Sequence, residues 1–163
     1  MVERIRPHSS GNGRSAEQEK FAKATDECAC TNFRKASRAV TQYFDDVLQP
    51  SGLRSTQLVV LLEVAVAGSA TVPRLARRLV MDPSTLTRNL KPLVKQGWLE
   101  CVASNRKQEF RLTREGRVLL ERAVPLWERA QSGFVDKIGE DRWRALLDAL
   151  SAAVRVARGA HHA

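Results

Sequence analysis

The chain has little of what secreted scaffolds, membrane spans and enzyme sites are built from. It holds three cysteines, Cys28, Cys30 and Cys101. That odd count does not make a secreted disulfide framework, so the reducing cytoplasm is the expected compartment. No run of about 18 apolar residues occurs, which argues against a membrane span. The N-terminus lacks an apolar core of the kind a secretory signal carries, which argues against export. The three histidines, His8, His161 and His162, lie in the terminal segments and make no ligand cluster. There is no glycine-rich phosphate loop after a strand, no His-Glu metal motif and no Gly-x-Ser-x-Gly elbow. Neither an enzyme nor a bound cofactor is expected. Aromatic residues are sparse, and Tyr43 is the only tyrosine.

Positive charge is abundant and unevenly placed. The net charge is +9. Between Arg54 and Val118 lie twelve Lys and Arg against five acids (Glu63, Asp82, Glu100, Glu109 and Glu115), leaving +7 in that stretch. The segments on either side are close to neutral. A polyanion is the natural partner of such a stretch, because neutralising phosphates releases condensed counterions. A merely basic, solvated surface is the competing reading.

The apolar spacing predicts a mainly α chain. Residues 1–27 are expected to form a mobile N-terminal segment. A first helix runs from about Cys28 to Leu48 on the stripe Phe33, Val40, Phe44 and Val47, and Pro50-Ser51-Gly52 breaks it. Ser55 is placed to cap a second, centrally buried helix containing Leu58 to Leu62, closed by Gly68. Thr71 then caps a short helix with Val72, Leu75, Ala76, Leu79 and Val80 on one face. Asp82-Pro83 restarts the chain, with Asp as N-cap and Pro at the first helical position. The next helix buries Leu86, Leu90, Leu93 and Val94, and Gly97 ends it. Pro92 falls inside it and predicts a disturbed last turn. Leu99, Cys101 and Ala103, a turn at Ser104 to Lys107, then Phe110 and Leu112 read as a two-stranded hairpin. Thr113 caps a long helix with Pro125 in its middle, and a last helix follows Gly139 on the stripe Trp143, Leu146, Leu147, Leu150 and Val154. These outer helices carry more apolar surface than so small a core can cover, and a second copy of the chain is the simplest cover.

The two short helices around Asp82 have the form of a helix-turn-helix, in which the second helix enters the major groove of DNA. Ser84, Thr85, Thr87 and Arg88, near its start, are candidates for base edges and phosphates, with Arg88 placed to reach guanine. Lys91, Arg74, Arg77 and Arg78 are phosphate candidates, which set register without reading sequence.

The order of elements resembles the MarR family of bacterial transcription regulators, over Cys28 to about Val156. The match is sharpest at Pro83-Ser84-Thr85-Leu86-Thr87-Arg88, at Gly97-Trp98-Leu99, and at Arg106 with Leu112-Thr113-Arg114-Glu115-Gly116. The resemblance implies a winged helix-turn-helix lobe over residues 54–113, with a two-stranded wing. It implies dimerisation helices at 28–53 and 114–163, and a homodimer bound to a pseudo-palindromic operator, acting mostly as a repressor. It also implies a minor-groove or phosphate contact from the wing residue Arg106, with Lys107 beside it. The family's aspartate two residues before that arginine is Ser104 here.

The signal has several readings. Cys28 and Cys30 fall at the start of the first helix, where free N–H groups and the helix dipole favour a thiolate. The spacing from Cys30 to Pro50-x-Gly52 resembles that of the reactive cysteine in hydroperoxide-sensing members of the family. On that reading Cys30 is the sensor, and Cys28 or Cys101 resolves it. A tyrosine position of those sensors is Arg34 in this chain. Alternatively, all three cysteines are small packed hydrophobes. A metal and a small aromatic ligand remain as other effectors, and a sequence-tolerant architectural DNA protein remains as another function.

Overall fold

The computed structural model describes residues 15–104 and 107–159. Contacts divide the chain into two compact units, Met1–Val40 and Thr41–Ala163.

The first unit corrects the expectation of a mobile segment through residue 27, since Ala16–Glu27 form a helix, α1. The cause is local. Ser15 Oγ accepts from the Gln18 N–H at 3.2 Å, and Gln18 Oε1 accepts from the Ser15 N–H at 2.9 Å. This reciprocal pair is a capping box, written in the sequence as Ser-x-x-Gln. Residues 1–14 of that expected segment lie outside the described residues. No residue of α1 is buried. Cys28 ends α1 in an extended conformation, and α2 begins directly after it, at Ala29–Leu48. The Asn32 side chain bridges the junction, donating to the Asp26 and Cys28 carbonyls at 2.8 and 3.0 Å.

The second unit holds the hydrophobic core. After a 3-10 turn at Gln49–Ser51 come α3 (Ser55–Ala67), β1 (Ala70–Thr71), α4 (Val72–Leu79), α5 (Pro83–Lys95), β2 (Leu99–Ser104), β3 (Lys107–Leu112), α6 (Arg114–Ile138) and α7 (Glu140–Gly159). Leu58, Val60, Leu61 and Val64 of α3 lie at the centre. They pack with Leu75 of α4, Leu86, Leu90 and Leu93 of α5, Leu99 of β2, Phe110 and Leu112 of β3, and Leu119, Leu120 and Ala123 of α6.

Three local expectations change. Ser55 does not cap α3. Its own N–H donates to Asp45 Oδ1 at 2.6 Å, so a carboxylate from α2 serves that helix start. Thr71 precedes α4 without a side-chain cap bond, because it belongs to β1 and pairs with Glu109. Val80 is not on the apolar face of α4: the helix ends at Leu79, and Val80 turns left-handed, with φ 53°, and is 53% exposed.

The wing is also larger than the sequence predicts. β2 and β3 pair from Leu99↔Leu112 to Ser104↔Lys107, and β1 joins the other edge of β3, giving a three-stranded antiparallel sheet in the order β1-β3-β2. A two-residue strand such as β1 has too little alternation to be seen in sequence. Pro92 and Pro125 each sit inside their helix without ending it.

Gly116 is required where α6 meets the strands. A Cβ there would overlap the backbone carbonyl oxygen of Trp98. Thr113 fastens the same corner: its hydroxyl donates to the Gly97 carbonyl at 2.6 Å and accepts from the Gly116 N–H at 3.0 Å.

Candidate nucleic-acid interface

The α4–α5 turn is built by chain-local hydrogen bonds. The N–H groups of Val80 and Met81 both end on the Ala76 carbonyl, which closes α4. Asp82 then caps α5. Its Oδ1 accepts from the Ser84 N–H at 2.8 Å, the Thr85 N–H at 3.2 Å and the Ser84 hydroxyl at 2.6 Å. These bonds, led by the Ser84 hydroxyl, hold the Asp82 carboxyl below its ordinary value. They favour the charged form because each donates to the carboxylate. At the far end Gly97, with φ 75°, gives a Schellman stop, in which the Trp98 N–H bonds to the Leu93 carbonyl and the Gly97 N–H to Val94.

This frame gives α5 two faces. Leu86, Leu90 and Leu93 are buried. Ser84, Arg88, Lys91 and Lys95 follow one another at i, i+4, i+7 and i+11 and are all exposed. That spacing puts them in one outward stripe. Lys95 extends the stripe beyond the candidates Ser84, Arg88 and Lys91, one turn past Lys91. Thr87, also exposed, flanks the stripe on one side; Thr85, half-buried, flanks it on the other. Arg88 Nη2 donates to Thr85 Oγ1 at 3.3 Å, and the Thr87 hydroxyl donates to the Pro83 carbonyl at 2.8 Å. The candidates of α5 therefore come together on one surface.

The candidates of α4 divide. Arg74 and Arg77 are exposed. Arg78 is held by Glu63 of α3, Nε to Oε2 at 2.9 Å and Nη2 to Oε1 at 3.1 Å. This contact was not visible in the sequence, since the two residues are fifteen apart and on different helices. Nor was a second one: Arg158, near the end of α7, donates from Nη2 to the Arg77 carbonyl at 2.9 Å, filling an acceptor at the C-terminal end of α4. Lys107 begins β3, while Arg106 lies outside the described residues.

The three cysteines are free thiols. Cys101 is exposed on β2, opposite Phe110. Cys30 is exposed in the first turn of α2. Cys28 is half-buried, and its carbonyl accepts the first bond of α2, from the Asn32 N–H at 3.0 Å. Hydrogen bonds from the Thr31 side chain, then from the Thr31 and Cys30 backbone, push the Cys28 thiol below its ordinary value. Among the described residues no group of three or more His, Cys, Asp or Glu could hold a metal ion, and no helix is long and apolar enough to cross a membrane.

Comparison with known proteins agrees with this geometry. The family model of the MarR family matches residues 53–106. The M. tuberculosis transcriptional regulator MosR is 35% identical; the alignment covers 82% of this chain and 99% of that one, with a TM-score of 0.70. The same regulator has been solved in complex with DNA, and that structure aligns at 35% identity over 81% of this chain and 99% of that one, with a TM-score of 0.71. A cysteine-to-serine mutant of E. coli MarR complexed with operator DNA shares the fold at 21% identity, over 80% of this chain and 96% of that one, with a TM-score of 0.73. A helix-turn-helix-type transcriptional regulator of Bacillus cereus is 26% identical over 106 residues, 65% of this chain and 72% of its own length.

Proposed function

This chain belongs to the MarR family of DNA-binding transcriptional regulators, and from that premise we propose that it is a homodimeric repressor of a pseudo-palindromic operator. It is a regulator and not an enzyme. The observation that carries the proposal is the outward stripe Ser84, Arg88, Lys91 and Lys95 on a helix whose opposite face is fully packed. Such a helix has its reading face free and its orientation set by the core. In the major groove, Arg88 would donate to guanine, while Ser84, Thr85 and Thr87 would meet base edges. Lys91, Arg74 and Arg77 would meet phosphates, with Arg106 and Lys107 of the wing reaching the adjacent minor groove.

Duplication is supported by the last helices. No residue of α7 is buried, and Leu146, Leu147 and Val154 stand 37%, 44% and 42% exposed along it. An apolar face of that kind is covered by a second copy, and two copies present two reading helices to two half-sites. On this reading, residues 28–53 and 114–163 form the dimerisation part and residues 54–113 the DNA-binding lobe.

The signal we assign to oxidation at Cys28 and Cys30. The support is the thiolate-favouring hydrogen bonds at Cys28. A hydroperoxide would oxidise one thiolate to a sulfenic acid, releasing an alcohol. A second thiol would then displace water to form a disulfide. Cys101 is the alternative resolving thiol.

Competition binding with an operator and with scrambled DNA tests the regulator. A preference of at least a thousandfold is the expected result, within the usual range for specific sites. Equal affinity for both would instead make this a sequence-tolerant architectural protein. For the signal, operator binding is measured before and after mild hydroperoxide, with Cys28→Ser and Cys30→Ser alongside. Loss of binding by the wild type alone supports the thiol switch. Equal loss by all three proteins, or no response, removes it in favour of a small aromatic ligand or a metal.

A further inference from the structure

Two hydroxyl groups on the reading face of α5, those of Ser84 and Thr87, have their protons already committed. The Ser84 hydroxyl stands 2.6 Å from Asp82 Oδ1. Asp82 has its carboxyl held in the ionised form, and a carboxylate only accepts, so Ser84 must be the donor. The Thr87 hydroxyl stands 2.8 Å from the Pro83 carbonyl oxygen, again an acceptor only. Both oxygens are on exposed residues. What Ser84 and Thr87 can offer outward is therefore lone pairs and no proton. A free Ser or Thr hydroxyl pairs with any base because it can rotate to donate or accept, and here that freedom is gone. Arg88 is the opposite case: it has only donors, and one of them, Nη2, is steered toward the N-terminal end of the helix by Thr85 Oγ1 at 3.3 Å.

We propose that Ser84 and Thr87 are specificity-determining residues that read exocyclic amino groups, so that each half-site carries adenine or cytosine opposite them, beside the guanine read by Arg88. In the major groove, adenine N6 and cytosine N4 are the donors, and guanine O6 and thymine O4 are acceptors. An acceptor-only hydroxyl pairs with the first two and repels the second two. Thr85 is a positioning residue acting through Arg88. The inference rests on the assignment of α5 as the DNA-reading helix.

The test is selection of binding sites from a randomised duplex library by the full chain, for the wild type, Ser84→Ala and Thr87→Val. Valine keeps the shape of threonine and removes the acceptor. The wild type is expected to enrich guanine next to amino-bearing bases. Each variant is expected to keep the guanine and lose the amino-base preference at one position only. Single-base-pair substitutions at that position in the selected site should weaken the wild type about three- to tenfold and Ser84→Ala hardly at all. Thr87→Val is expected to turn toward thymine, whose methyl group it can touch. Melting curves show whether each variant is folded. The conservative Ser84→Thr, which keeps the acceptor, should restore the preference. Unchanged site preferences in both folded variants would overturn the inference, as would wild-type enrichment of thymine or guanine at these positions. Failure of the wild type to enrich any sequence would be a different result, because it overturns the operator reading itself.

Discussion

The Arg78 guanidinium lies against the Glu63 carboxylate through two hydrogen bonds of 2.9 and 3.1 Å, tying the first helix of the helix-turn-helix to the central helix behind it. Glu63 also raises the Arg78 pKa further above its ordinary value, first through the hydrogen bond and then through its charge. A side chain counted from sequence as a phosphate contact is thus already engaged within the protein. Glu63→Gln should lower the melting temperature slightly, because the Arg78 side chain is 61% exposed and pairs open to solvent contribute little. Arg78→Ala should leave the slope of log affinity against log salt unchanged, whereas Arg74→Ala should reduce it by about one. A reduced slope for Arg78→Ala would mean that the guanidinium serves a phosphate as well.

Gly116 is the position where a single methyl group should do most damage. The added Cβ of Gly116→Ala meets backbone at Trp98, not a flexible side-chain end. Forced overpacking of this sort costs about 3 kcal/mol, or roughly 6–12 °C in melting temperature for a chain of this length. Thermal denaturation of Gly116→Ala beside Gly159→Ala, where a Cβ meets open space, gives the comparison.

Val80 stores strain in the turn between α4 and α5. It is a β-branched residue at φ 53° and ψ 44°, a region in which its Cβ crowds the following carbonyl. Val80→Gly removes that crowding at the cost of a more flexible unfolded chain. It should stabilise the protein by about 0.5–1 kcal/mol. Val80→Ala, which keeps a Cβ, should not. Denaturant titration separates the two, and a destabilised glycine variant would show that the half-exposed valine side chain matters more than its backbone.

Cys28 should be alkylated readily at neutral pH. Its thiol is held below the ordinary value by bonds that favour the thiolate, and the thiolate is the reacting form. Its rate of reaction with iodoacetamide should therefore rise and level off at lower pH than for an unperturbed thiol. Peptide mapping after brief labelling measures this site by site. Thr31→Val removes the leading hydrogen bond and should shift the Cys28 profile toward higher pH, with the helix itself unchanged.

Much of the DNA-binding lobe was legible in its residues, and what was not legible in that lobe depends on partners far off in sequence. Leu75 and Ala76, then Leu86, Leu90 and Leu93, mark buried helix faces through spacing alone, and all are buried. Asp82-Pro83 and Gly97 mark where α5 starts and stops, because a cap and a Schellman glycine act within one turn of chain. The Ser15-x-x-Gln18 box is equally local, but α1 has no strong apolar stripe and no buried residue to mark it as a helix. Thr71 and Ser55 have cap-forming side chains but do not cap, because their backbones are engaged by Glu109 and Asp45, neither of them adjacent in sequence.

What the sequence determined by itself is what a few neighbouring residues can encode: helix periodicity, the turn at Asp82, the basic stretch, and with these the family. The tertiary structure decided the rest. It added β1 to the wing, engaged Arg78 with Glu63, set Arg158 on the end of α4, and placed α6 so close to Trp98 that only glycine fits. Each of these joins groups far apart along the chain. A hydrogen bond or a steric limit between them exists only once the core has brought the two together.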